Sequence, residues 1–275
     1  MANVLKTEKQ IAVISALAEG SSIRSIERIT GINRNTIMNL GVRVGQGCAR
    51  LLDVKMRDLT CNQLQLDELW GFIGKKERQV LPTDNPELGD VWTFCAIDAE
   101  TKLIPSFKVG KRTAANTQEF VQDIANRIKN KPQISTDGFR KYVDAVEMAF
   151  GADVDYGMIV KKFGHDLETN PGRRYSPPAV IGVDKTAMCG RPVKDLISTS
   201  YIERANGTTR QHMKRLSRLT YAFSKKLVNF EAAVALHFAY YNLVRTHGTL
   251  KMTPAMAAGV ERSFWTVGDL VEAAQ

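Results

Sequence analysis

The sequence predicts a mixed α/β core with helical segments at both ends. Three observations carry that prediction. Residues 61–73 alternate along the two faces of a strand, and residues 91–98 and 103–110 read as strands after a loop containing Pro82, Asn85, Pro86 and Gly89. Residues 113–129 switch to helical spacing, with Phe120, Ile124 and Ile128 on one face. Charge is unevenly placed: residues 1–58 carry a net +4 and 203–226 a net +6, while 59–202 are balanced.

Composition narrows the class. The 275 residues are 44% hydrophobic and 24% charged, which excludes a disordered tail, a collagen-like fibre and a disulfide-stapled miniprotein. Cys48, Cys61, Cys95 and Cys189 lie far apart and lack metal-ligand spacing, so a reduced interior is expected. No apolar run approaches the ~18 residues of a membrane span, and residues 1–6 do not open a signal peptide. A cytoplasmic, nucleoid-associated protein is therefore expected. The formal charge of +9 points to a polyanionic partner, most often nucleic acid.

Residues 7–18 read as a helix, with Ile11, Ile14 and Leu17 three apart. Gly20 and the following serines punctuate it. Ile23, Ile26 and Ile29 mark one face of a short second helix, Gly31 supplies a turn, and Asn33 is placed to cap a third helix from Arg34. That is helix-turn-helix form, in which Arg34, Asn35 and Thr36 would face the major groove and Arg28 the phosphates. A plain helical hairpin packed on the main domain fits the same pattern. Gly41, Gly45 and Gly47 predict that the third helix does not continue far.

In the strand at 61–73, Leu64, Leu66, Glu68, Trp70 and Phe72 share one face, and Gln63, Gln65 and Asp67 the other. After the helix at 113–129, residues 133–136 form a short strand ending at Asp137-Gly138. Residues 139–150 form a helix, and 154–156 begin a fifth strand. The order βββαβαβ followed by a helix is that of the RNase H-like, retroviral-integrase-type fold. There the first and fourth strands are neighbours, so Asp67 and Asp137 would lie side by side. Two such carboxylates repel unless a cation sits between them, which argues for a divalent metal. Either residue alone reads more simply as a turn or cap aspartate.

Residues 157–200 read as loops around a hairpin, an insertion in which Arg173, Arg174, Lys185 and Arg191 are solvated or touch phosphates. Ile202, Ala205, Thr209, Met213 and Leu216 then stripe an amphipathic helix. Glu203 is the sole acid between 203 and 226, where Arg204, Arg210, Lys214, Arg215 and Arg218 surround it. A carboxylate followed by cations at one- and two-turn intervals can hold a metal while its neighbours contact DNA. A helix-dipole glutamate heading a solvated basic face is the simpler alternative.

Three stretches together resemble the acidic motifs of DDE transposases: Gln65-Leu66-Asp67-Glu68-Leu69-Trp70-Gly71-Phe72-Ile73-Gly74, Ser135-Thr136-Asp137-Gly138 and Tyr201-Ile202-Glu203-Arg204-Ala205-Asn206. With Arg210-Gln211-His212 and Phe223-Ser224-Lys225, the resemblance extends over about residues 61–250 and is closest to the bacterial insertion sequence 1 family. It implies that Asp67, Asp137 and Glu203 bind two Mg²⁺ ions, with Mn²⁺ as an alternative, and that Arg210 is the basic helix residue at the active site. It further implies a transposase that binds element ends and performs strand cleavage and strand transfer in DNA recombination. Its partner is double-stranded DNA, and holding two ends implies a homodimer or larger homo-oligomer. The domains follow as 1–58, 59–225 and 226–275. Two departures stand out: a gap of 65 residues between Asp137 and Glu203, which keeps Asp166, Glu168, Asp184 and Asp195 as rival third acids, and no zinc motif.

The closing stretch, Tyr240 to His247 and Thr253-Pro254-Ala255, resembles the end of many insertion-sequence transposases, and the apolar helix at 232–241 is expected to pack on the core. Arg245 and His247 read as surface or structural residues, while His212 is a weak candidate for approaching a scissile phosphate. Two other functions fit parts of the sequence. An RNase H-like nuclease or junction resolvase explains the acids without the N-terminal helices; a non-catalytic helix-turn-helix regulator explains the helices without the acids.

Overall fold

The computed structural model describes residues 5–152, 154–164, 179–217 and 220–275. Three helices open the chain: α1 (Thr7–Ala18), α2 (Ile23–Thr30) and α3 (Arg34–Lys55). Ser22 caps α2 by accepting from the Ser25 N–H, Gly31 ends it at φ 69°, and the Asn33 side chain caps α3 through the Asn35 N–H. Of the three isoleucines expected on one face of α2, Ile26 is buried but Ile29 is 79% exposed.

The expectation that α3 stops early is corrected: it runs for 22 residues through all three glycines. Isolated-helix propensity penalises each glycine by about 1 kcal/mol, but here tertiary contact decides. A Cβ on Gly45 would collide with the carbonyl of Ala232, and one on Gly47 with that of Ala274. These glycines let α3 lie against α7 (Leu227–Ala239) and the end of α9 (Val267–Ala273) at backbone distance. α1 also packs on α9, so segments 1–58 and 226–275 share one continuous apolar core with the sheet.

The middle is a six-stranded sheet in the order β3-β2-β1-β4-β5-β6. Its strands are β1 (Gln63–Ile73), β2 (Gly89–Asp98), β3 (Phe107–Gly110), β4 (Gln133–Thr136), β5 (Tyr156–Phe163) and β6 (Val180–Cys189). β1–β2–β3 are antiparallel, β4 and β5 run parallel to β1, and β6 returns antiparallel beside β5. The central order is consistent with the RNase H-like arrangement. β1 is buried along most of its length.

α4 (Ala114–Arg127), capped by Thr113, buries Phe120 and Ile124 against the sheet, and α5 (Lys141–Phe150) packs beside it. The stretch 157–200 contributes a hairpin: β5 runs on to Phe163 and β6 forms a sheet edge. Asp166, Glu168, Arg173 and Arg174 lie outside the described residues, as does Arg218. α6 (Ser200–His212) follows, succeeded by a 3₁₀ turn at Lys214–Leu216. After α7 come a π-turn (Tyr240–Val244) and α8 (Pro254–Ala257). No described helix is long and apolar enough to cross a membrane.

Candidate active site

β1 and β4 pair in parallel with Leu66 opposite Thr136. Asp67 and Asp137 each follow by one residue, so the two carboxylates leave adjacent strands at the same level, where strands are about 4.8 Å apart. Asp137 ends its strand by accepting from the Phe139 N–H at 3.0 Å, an Asx turn that launches the chain toward α5.

α6 is held over the Asp67 face of β1 by two polar contacts. The buried Gln65 side chain accepts hydrogen bonds from the Tyr201 N–H (2.9 Å) and the Ile202 N–H (3.1 Å), capping the helix from another element. One turn further on, Asn206 donates its amide to Asp67 Oδ2 at 2.8 Å. Gln65 and Asp67 are two residues apart on one strand face, so a single stretch of β1 fixes both the start and the rotation of α6.

Glu203 stands on that same side of α6. Lys161 of β5 donates to both of its carboxylate oxygens at 2.5 Å, and the Thr199 hydroxyl donates to Oε1 at 2.6 Å. The three acids interact electrostatically. Asp67 is pushed up to about 6, first by burial and then by the charges of Asp137 and Glu203, against the Glu68 N–H and the Asn206 amide. Asp184 pairs with Lys162 on the hairpin at 2.8 Å.

Glu68 faces the other way, as the alternation predicts. It pairs with Arg112 at 2.9 Å, and Arg112 stacks on Phe139 and Trp92. Burial pushes Glu68 up to about 7, opposed by the Tyr142 hydroxyl and by Arg112.

The remaining candidate residues divide. Arg28, Arg34, Asn35 and Thr36 are exposed at the α2–α3 turn, and Arg204 and Lys214 are exposed on and after α6. Arg210 and Arg215 are half-buried. Arg210 donates to the Leu216 carbonyl at 2.6 Å and Arg215 to the Ser224 hydroxyl at 2.6 Å, so both brace the turn that follows α6. His212 lies 2.8 Å from an Arg245 nitrogen and 3.7 Å from Glu19, at the helix end that meets the α1–α2 turn.

Sequence reasoning assigned no role to Gln65 or Lys161, and it left Asn206 as a position on the acidic face. The strand alternation that put Gln65 beside Asp67 was the available signal; nothing pointed to Lys161, which sits where β5 was expected to have ended.

Hard oxygen donors, with the charges of Asp137 and Glu203 pushing the Asp67 carboxyl up, suit a divalent cation. Among the described residues, however, no three His, Cys, Asp or Glu side chains are disposed around one ion. Asp67 and Asp137 fit as a pair; Glu203 is engaged by Lys161.

No protein-family model matches the chain, and no curated protein matches it. Among solved structures, it is similar to a piggyBac transposase in a synaptic complex with hairpin DNA, at 9% identity and a TM-score of 0.47. The match covers 98% of this chain and 69% of that one. A likeness so distant carries no chemistry across.

Proposed function

We propose that the chain is a DDE-type transposase that binds the ends of a DNA element and catalyses strand cleavage and strand transfer. The observation that supports this reading is that Asp67 and Asp137 leave adjacent parallel strands at one level, with the charges of Asp137 and Glu203 acting on Asp67. Two Mg²⁺ or Mn²⁺ ions held by these three residues would supply Lewis-acid stabilisation and a nucleophile at neutral pH.

The chain's own residues have distinct parts in this proposal. Asn206 orients Asp67, and Gln65 sets the height of α6 above β1. Lys161 neutralises Glu203 until a stronger cation takes its place. The exposed basic and amide side chains at the start of α3, together with Arg204 and Lys214, bind DNA. Phosphate contacts there position the duplex, and Asn35 and Arg34 are suited to base edges. Arg210 and Arg215 act as positioning residues by bracing the turn after α6. Segment 1–58 is the end-binding unit, and the protein works as a homodimer or larger assembly because two ends are joined.

The test is a supercoiled plasmid carrying the element's terminal repeats, incubated with Mg²⁺ and scored for binding, nicking and joining. Asp67→Asn and Asp137→Asn should each abolish nicking and joining while duplex affinity stays within about two-fold. Nicking without joining by the unaltered protein would favour a nuclease, and binding alone a regulator. Full strand transfer by either variant would sink the proposal.

A further inference from the structure

A second feature lies on the side of α6 roughly opposite Glu203 and Asn206. Tyr201, Arg204 and Thr208 recur at helical spacing there and line a cavity of about 240 Å³. Its other walls are Lys102, from the connection between β2 and β3, and residues 245–249 that follow the π-turn. None of these residues is needed by the acid site.

The lining is one-sided in charge. Lys102, Arg204, Arg245 and His247 contribute, and no carboxylate does. Among the described residues, Lys102, Arg204 and Arg245 have no carboxylate partner. The Lys102 ammonium instead donates to the Ala99 carbonyl and lies 3.4 Å from the centre of the Tyr201 ring. The Lys102 backbone is held at φ 62°, a left-handed conformation that costs a non-glycine residue energy. The His247 Nδ1 is buried without a hydrogen-bond partner. Burial and the charges of Lys102, Arg245 and Arg204 hold this imidazole below its ordinary range, so the cations act on a common space.

Three like charges around one cleft repel each other, and an anion between them converts that repulsion into attraction. Thr208 and Thr249 add hydroxyls to the wall. The volume is below the ~300 Å³ at which clefts for organic ligands begin, which matches one oxyanion group rather than a base or a cofactor.

We propose that this cavity is a phosphate site, and that it takes a backbone phosphate of duplex DNA lying along the outer side of α6. The phosphate chemistry stands on the cavity alone; the assignment of its source to DNA rests on the function proposed above.

Two measurements on the full chain test it. In the first, inorganic phosphate is titrated while the His247 imidazole resonances are followed by NMR. A saturable shift is expected, absent in Arg204→Gln and retained in Arg204→Lys. In the second, duplex affinity is measured against salt concentration. Arg204→Gln should lower the slope of log K against log salt by about one, as for the loss of one phosphate contact. Thermal melts of the same variants check that the fold is intact, and Lys102→Gln provides an independent second variant. A silent His247 with an unchanged slope overturns the site. A phosphate response with an unchanged slope overturns the DNA source. If the unaltered protein binds no duplex, the transposase reading fails, while the phosphate titration still decides whether the cavity is an anion site.

Discussion

Lys161 grips both carboxylate oxygens of Glu203 at 2.5 Å, across the gap between the outer part of the sheet and the helix above it. The ammonium engages both of the oxygens with which Glu203 could bind a metal. Lys161→Ala should therefore raise Mn²⁺ affinity, by about two- to five-fold given what a partly exposed ion pair contributes. Electron paramagnetic resonance of free Mn²⁺ measures this directly. Equal or weaker affinity in the variant would mean that the pair does not compete with the ion.

Gln65 supplies two hydrogen bonds that α6 cannot make for itself, since Thr199 at its N-cap offers no side-chain cap. Gln65→Leu keeps the volume and leaves the Tyr201 and Ile202 N–H groups without that acceptor. A loss of about 1–3 kcal/mol is expected, the cost of unpaired buried donors. Urea unfolding at constant m reads it, and an unshifted midpoint would show that another group caps the helix.

His237 gives the fold a pH dependence. The ring is buried between α7 and α6, with Nε2 3.1 Å from the Thr209 hydroxyl and Nδ1 unpartnered. Burial first, then His212 and Arg245, lower its pKa from 6.5 to about 3. The unfolded imidazole takes up a proton near 6.5 and the folded one only near 3. Its contribution to stability is thus present above 6.5 and lost as pH falls toward 3, at no more than about 1.4 kcal/mol per pH unit. On lowering the pH from 7 to 5, the denaturant midpoint should move less favourably in the native protein than in His237→Gln, since only the native protein carries the His237 loss.

Gly45→Ala tests the contact between α3 and α7. In an isolated helix this change stabilises by about 1 kcal/mol. In the protein the new methyl meets the Ala232 carbonyl, and a net loss of about 1–3 kcal/mol is expected, as for overpacking. A gain in melting temperature would show that the helices can separate freely.

The strands and helices from Gln63 to Phe150 were legible because their apolar residues repeat at one period and their breaks are marked by Thr113, Pro132 and Gly138. The adjacency of Asp67 and Asp137 followed from matching the element order to the RNase H-like fold, whose first and fourth strands are neighbours. α3 was misread because glycine is judged locally, whereas Gly45 and Gly47 are explained by carbonyls nearly 190 and 230 residues away. The basic residues of α6 were harder still. Periodicity gives a helix its stripe, but the rotation that brings Asn206 to Asp67, and sends Arg210 to the Leu216 carbonyl, is set by Gln65. Lys161 was hidden because β6, which carries β5 outward, is a mostly exposed edge strand with little apolar pattern.

The backbone contacts of α3 bear on measurement as well as stability. With α3 seated on α7 and α9, and the end of α6 against Gly20, the exposed tip at Arg34 and the carboxylate of Asp67 belong to one stiff frame. Under the proposed function, such a frame would act as a caliper. A duplex gripped at one jaw would meet the other at a fixed number of base pairs, each about 3.4 Å along the strand, so the distance from recognition sequence to cut would be set by the protein's shape.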